Sequence, residues 1–127
     1  MRFLDTNILL YSLSTDIDEA HKRARAIELL DSSDVVISVQ VLQEFYVQAT
    51  RPSRLDPLDH DLATAFIRKW RRFQVVETSV ELLDTALDIA KRYRLSYWDA
   101  AILAAAAAAN CDELMSEDLA HGSVLAN

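Results

Sequence analysis

One cysteine, Cys111, is all that 127 residues provide, so no internal disulfide can form and no cysteine-rich zinc site can be built. A chain so poor in thiols suits a reducing compartment. No apolar run reaches the roughly 18 residues of a membrane span. The nearest candidate, "AAILAAAAAAN", is too short and too weakly apolar. No charged-then-apolar leader precedes the first apolar segment. The expectation is a soluble cytoplasmic protein with no membrane contact. The three histidines, His21, His60 and His121, are scattered and read as surface residues rather than ligands. Prolines occur only at Pro52 and Pro57, which bracket the clearest break in the chain. There is no internal repeat, no low-complexity linker and no sign of a second domain, so residues 1–127 read as one domain.

What is present is an ordinary globular composition: 51% hydrophobic and 26% charged residues argue against disorder. The net charge of −7 is unusual for a nucleic-acid binder, because phosphate contacts normally come from Lys and Arg. Two features temper that. If four carboxylates gather in one site, the remainder is only mildly acidic. The basic residues are also clustered, in "RPSR" (Arg51, Arg54) and in "IRKWRRF" (Arg68, Lys69, Arg71, Arg72). Solubilising charge explains both clusters as well as a nucleic-acid contact does.

Apolar periodicity orders the elements. "RFL" reads as a buried strand and "NILLYSL" as a helical segment. From Asp18 to Leu30 the residues Ala20, Ala24, Ile27 and Leu30 recur at helical spacing. "DVVIS" is a second strand, and Ser38 caps a helix whose stripe is Leu42, Phe45 and Ala49. Asp59 caps a further helix with Leu62, Phe66, Trp70 and Phe73 on one side, which makes Trp70 a core residue rather than a base-stacking one. "QVVET" is a third strand. Thr78 and Glu81 form a capping box for the helix after it. Ser96 opens the Ala-rich helix, which Asn110 ends in a left-handed conformation. "ELMS" is a fourth strand. Alternating strands and helices imply a parallel sheet covered on both faces.

Four acidic residues fall near element ends on one side of such a sheet: Asp5, Glu44, Asp99 and Asp118. Each has an ordinary explanation. Asp5 ends a strand and can cap the next helix. Glu44 can lie on a solvated helix face. Asp99 completes Ser96-Tyr97-Trp98-Asp99, a capping pattern, and Asp118 can be a turn residue. Taken one at a time these explanations compete well; together they leave the common placement a coincidence.

"LDTNILL", "SVQVLQEFY", "YWDAAILAAA" and "LMSEDLAHG", in this order and spacing, resemble the PIN-domain nucleases, and among them the VapC-type toxins of toxin–antitoxin pairs. The resemblance runs from Met1 to about Gly122. It implies a three-layer α/β/α sandwich with a central, mainly parallel sheet of four to five short strands. It also implies an endoribonuclease that uses Mg2+ or Mn2+. Asp5, Glu44, Asp99 and Asp118 match the acidic quartet, with Asn7 and Ser116, and also Thr6, in supporting positions. Asp5 and Asp99 are the expected direct metal ligands. Asp118 joins them in the metal set through water or on a second ion, as Glu44 also can. The resemblance further implies an RNA substrate, a cognate antitoxin as partner, and a homodimer. One departure is the ending "SVLAN", which leaves the family's final strand short, absent or truncated.

The chemistry of such a quartet is independent of the name. Hard divalent cations prefer carboxylate oxygens and water, and at a phosphodiester they neutralise charge and activate an attacking water. Arg51 and Arg54 are the expected RNA contacts, since they follow the helix that carries Glu44. Two rivals remain. One is a catalytically silent module of the same fold that only binds RNA or protein. The other is a haloacid dehalogenase-type aspartyl phosphatase, which also starts with Asp after its first strand. That enzyme normally has a second acid two residues on, where this chain has Asn7.

Overall fold

Val35, Val36 and Ile37 follow one another with no polar residue between them, a run that is stable only with both faces covered. In the computed structural model, which describes residues 1–116 and the backbone of Ser123–Val124, they belong to β2 (Val35–Ser38), buried at every position. β1 (Arg2–Leu4) pairs in parallel with β2 on one side and with β4 (Glu113–Met115) on the other. β3 (Gln74–Val76) extends the sheet beyond β2, again in parallel. β5 (Ser123–Val124) closes the other edge as a two-residue antiparallel strand against β4. The order is β3-β2-β1-β4-β5. The chain leaves β1 toward one edge and later returns to its other side, so the reversal of strand order lies between β1 and β4. In open α/β sheets that is where ligands bind, outside the carboxyl ends of the strands.

Among the described residues six α-helices flank the sheet: α1 (Thr6–Tyr11), α2 (Ala20–Leu30), α3 (Val39–Ala49), α4 (His60–Trp70), α5 (Val80–Tyr93) and α6 (Tyr97–Ala108). α1 packs on α2 and α3, α3 packs on α4, and α5 and α6 pack chiefly on each other. The main core joins Phe3, Leu4, Val36, Ile37, Phe45, Trp70 and Leu114. Trp70 is 3% exposed, with its ring edge-on to Phe45 at 4.7 Å and stacked on Phe66 at 5.5 Å. It is a core residue, as its spacing predicts. In α6, Ala100, Ala101 and Ala104 meet Ala86 of α5, while Ile102, Ala105 and Ala106 join the main core. Small side chains there let two helices approach closely. Among the described residues no helix is long and apolar enough to cross a membrane.

Several local expectations shift. The buried face of α2 is Ala26, Leu29 and Leu30, whereas Ala20, Ala24 and Ile27 are exposed. Alanine buries too little area for its spacing to fix a helix face. On α4, Ala63 is buried and Leu62 is 46% exposed. The cap of α5 is Ser79, whose hydroxyl accepts from Leu82 N at 3.0 Å, rather than the Thr78–Glu81 box. Asn110 does turn left-handed, at φ 57°. With one glycine in the chain, two other left-handed positions fall to Asp56 and Arg94, at φ 52° and 54°.

Candidate active site

The reversal point between β1 and β4 is where Asp5 and Ser116, two of the expected site residues, meet. Asp5 follows the last residue of β1, and its backbone N–H donates to Met115 O at 3.1 Å, which ties it to the end of β4. Its carboxylate does two things. Oδ1 caps α1 by accepting from Thr6 N at 2.7 Å, and Oδ2 accepts from the Ser116 hydroxyl at 2.9 Å. The capping role and the site role are thus compatible in one residue. Ser116, 3% exposed, comes from the residue just past β4, 111 positions away in sequence.

Thr6 carries the connection onward. Its side chain is 2% exposed, and its hydroxyl donates to Glu44 Oε2 at 2.8 Å. Glu44 sits on α3, whose start directly after β2 brings this helix alongside α1. One turn earlier on the same helix, Gln40 donates its side-chain amide to Glu44 Oε1 at 3.0 Å. Each oxygen of Glu44 therefore has one donor, and a carboxylate offers about four acceptor positions in all, so capacity to bind further remains. Glu44 is half-buried and not on a freely solvated helix face. Gln40 is the residue that sequence reasoning missed. Its position four before Glu44 on the same helix was the available signal.

The other expected residues are placed as follows. Asn7 is half-buried in the first turn of α1. Asp99 lies exposed in the first turn of α6, where its backbone N–H donates to the Ser96 hydroxyl at 3.2 Å. Among the described residues, no three His, Cys, Asp or Glu side chains form a group that could hold a metal ion. Asp118 lies outside the described residues, as does His121. His21 is exposed, and His60 is exposed with its Nδ1 3.0 Å from the Tyr46 hydroxyl. Arg51 is exposed and borders a cleft with Glu44 and Trp98, whereas Arg54 is half-buried in the same loop. In the second basic cluster, Arg72 is occupied structurally. It donates to Leu30 O at 2.8 Å and Lys69 O at 3.1 Å, with its guanidinium 4.2 Å from the Phe73 ring centre.

In kind, this donor set suits a hard divalent cation: carboxylate oxygens, each oriented by a hydroxyl or amide behind it. Asp5 stands at the carboxyl end of β1 beside β4, with Thr6 and Ser116 fixing the orientation of its oxygens.

The family description of the PIN domain matches residues 2–124. The chain belongs to the PIN-domain family. No curated protein matches it significantly. Solved structures share its fold at low identity. The sarcin–ricin loop-cleaving VapC toxin of Mycobacterium tuberculosis superposes with a TM-score of 0.72 at 21% identity, over 93% of this chain and 92% of that one. A toxin–antitoxin complex from Klebsiella pneumoniae gives 0.68 at 22%, over 91% of this chain and 85% of that one. A VapBC complex from Rickettsia felis, bound to a fragment of its promoter DNA, gives 0.62 at 16%, over 91% and 85%. At these identities the likeness speaks for the fold of this PIN domain. Membership sets aside the dehalogenase-type reading of Asp5.

Proposed function

We propose that this PIN domain is a Mg2+- or Mn2+-dependent endoribonuclease and the toxin of a toxin–antitoxin pair. The observation that carries the reading is the chain of contacts Ser116–Asp5–Thr6–Glu44, which joins two carboxylates from distant segments at the reversal of strand order. A structural cap needs no such connection. Asp5, Asp99 and Asp118 would hold the metal, with Glu44 acting through water or on a second ion. When bound, the metal neutralises charge at the phosphodiester and lowers the pKa of an attacking water. Thr6, Ser116 and Gln40 keep the carboxylates oriented, and Asn7 supports them from the first turn of α1. Arg51 and Arg54 supply the attraction for RNA that an acidic site lacks.

The solved relatives support a cognate antitoxin, since two of them are complexes with one. A homodimer is supported by the apolar stripe Val80, Leu83 and Leu87, which α5 leaves exposed.

The test is cleavage of total RNA by the purified protein with Mg2+, with Mn2+ and with chelator. Cleavage is expected only with metal. Asp5→Asn should abolish it while the melting temperature in chelator stays near wild type, and Mg2+ should raise the melting temperature of the wild type more than that of the variant. Undiminished cleavage by Asp5→Asn, or in chelator, overturns the reading.

A further inference from the structure

The chain has two tryptophans. One is buried in the core; the other, Trp98, is 63% exposed. Its ring offers a large apolar face with a polar N–H at the surface, directly beside a carboxylate. Trp98 immediately precedes Asp99 in the first turn of α6. It is also held in place: the half-buried Tyr97 packs on the small core between α5 and α6, and its ring meets that of Trp98 edge-on at 5.2 Å. The indole is therefore a positioned surface.

Trp98 forms one wall of a cleft of about 490 Å³, whose opposite wall is α3 and the start of the loop after it. Its lining takes in Glu44 and Arg51 together with Gln40, Gln43, Val47 and Gln48. Gln40 is committed to Glu44. Gln43 and Gln48 each bring an amide with both donors and an acceptor. An aromatic face, adaptable amides and a terminal guanidinium suit a flat, polar-edged, phosphate-bearing group. An acidic peptide would meet Glu44.

We propose that this cleft is a nucleotide subsite, in which an unpaired RNA base next to the cleaved bond stacks on Trp98. Gln43 and Gln48 hydrogen-bond the edge of that base, and Arg51 takes its phosphate. Stacking tolerates any base, whereas the two amides provide preference among bases. The inference rests on the ribonuclease reading and adds to it the side on which single-stranded substrate enters.

The experiment uses Asp5→Asn protein, silent in cleavage, titrated with an RNA hexamer pool of randomised sequence. Tryptophan emission should be quenched, because Trp98 is the exposed one of the two. Trp98→Ala on that background should remove the quench and weaken binding about tenfold, while Trp98→Phe keeps most of the affinity. An abasic ribose-phosphate hexamer should bind the parent and Trp98→Ala alike. With Asp5 restored, Trp98→Ala should raise KM more than it lowers kcat.

Equal affinity of Trp98→Ala and its parent for the randomised hexamers overturns the subsite. If wild-type protein still cleaves RNA in that case, the ribonuclease reading survives. Failure of the wild type both to cleave and to bind RNA overturns the two together. A Trp98→Ala effect confined to sedimentation behaviour, with RNA affinity unchanged, would assign the exposed indole to contact with another protein chain and also overturn the subsite.

Discussion

Thr6 is a small residue in a decisive place. Its backbone N–H caps into Asp5, and its buried hydroxyl reaches Glu44. Valine matches its shape but cannot donate, so Thr6→Val leaves Glu44 with one oriented oxygen in place of two. Loss of a group that orients a site carboxylate typically costs 10- to 100-fold in activity or metal affinity. We expect a drop of about that size in cleavage, with a loss of about 2 kcal/mol in stability from the missing hydrogen bond to a charged group. Activity assays at saturating metal, read beside urea denaturation, separate the two. Unchanged cleavage would show that Glu44 is placed by α3 alone. The motif marks Thr6 as a supporting residue, yet its partner is not legible in the sequence. The sequence separates Thr6 and Glu44 by 38 residues, and only the packing of α1 on α3 joins them.

The same contrast holds for whole elements. Helices α3 and α4 were legible because their caps, Ser38 and Asp59, and their aromatic stripes agree. The Ala-rich α2 misled, since Ala20 and Ala24 say little about which face is buried. At α5 two adjacent residues compete as caps, and backbone geometry chooses Ser79, which is extended at φ −123° and ψ 167°. Ser79→Ala should therefore destabilise the protein by about 1 kcal/mol, whereas Thr78→Ala should change little. Thermal melts of the two single variants check this, and equal effects would contradict the observed cap. Their shared loop pairs Arg51 with Arg54 in the sequence, and the structure separates the two. Arg51 borders the cleft beside Glu44, while Arg54 is half-buried nearby.

For the molecule as a whole, Cys111 reports on global opening. Its thiol is fully buried, and burial pushes its pKa above the ordinary 9.0. A raised thiol pKa means the folded state holds its proton after the unfolded chain has released it. That contribution is intact below the unfolded value and is lost as pH rises through the folded one. Stability should then decline on the alkaline side of pH 9, less so in Cys111→Ala after allowance for the cavity. Labelling by a thiol reagent at neutral pH should be slow in the native protein and should follow the unfolding transition in urea. Rapid labelling without denaturant would show that the segment between α6 and β4 opens locally.

Local sequence pattern dictates the alternation of strands and helices, hence a parallel sheet. It also determined the family, through four short motifs in a fixed order. Both are carried by local pattern, in apolar periodicity, caps and motif spacing, and local pattern survives without knowledge of what lies across the fold. Long-range packing places β1 between β2 and β4, which sets Asp5 against Ser116. It alone linked Asp5 to Glu44 through Thr6, recruited Gln40, gave Arg72 to the backbone of α2, and left Trp98 exposed beside α3. Those outcomes depend on which distant surfaces meet, and periodicity gives the buried face of an element without naming the partner that buries it.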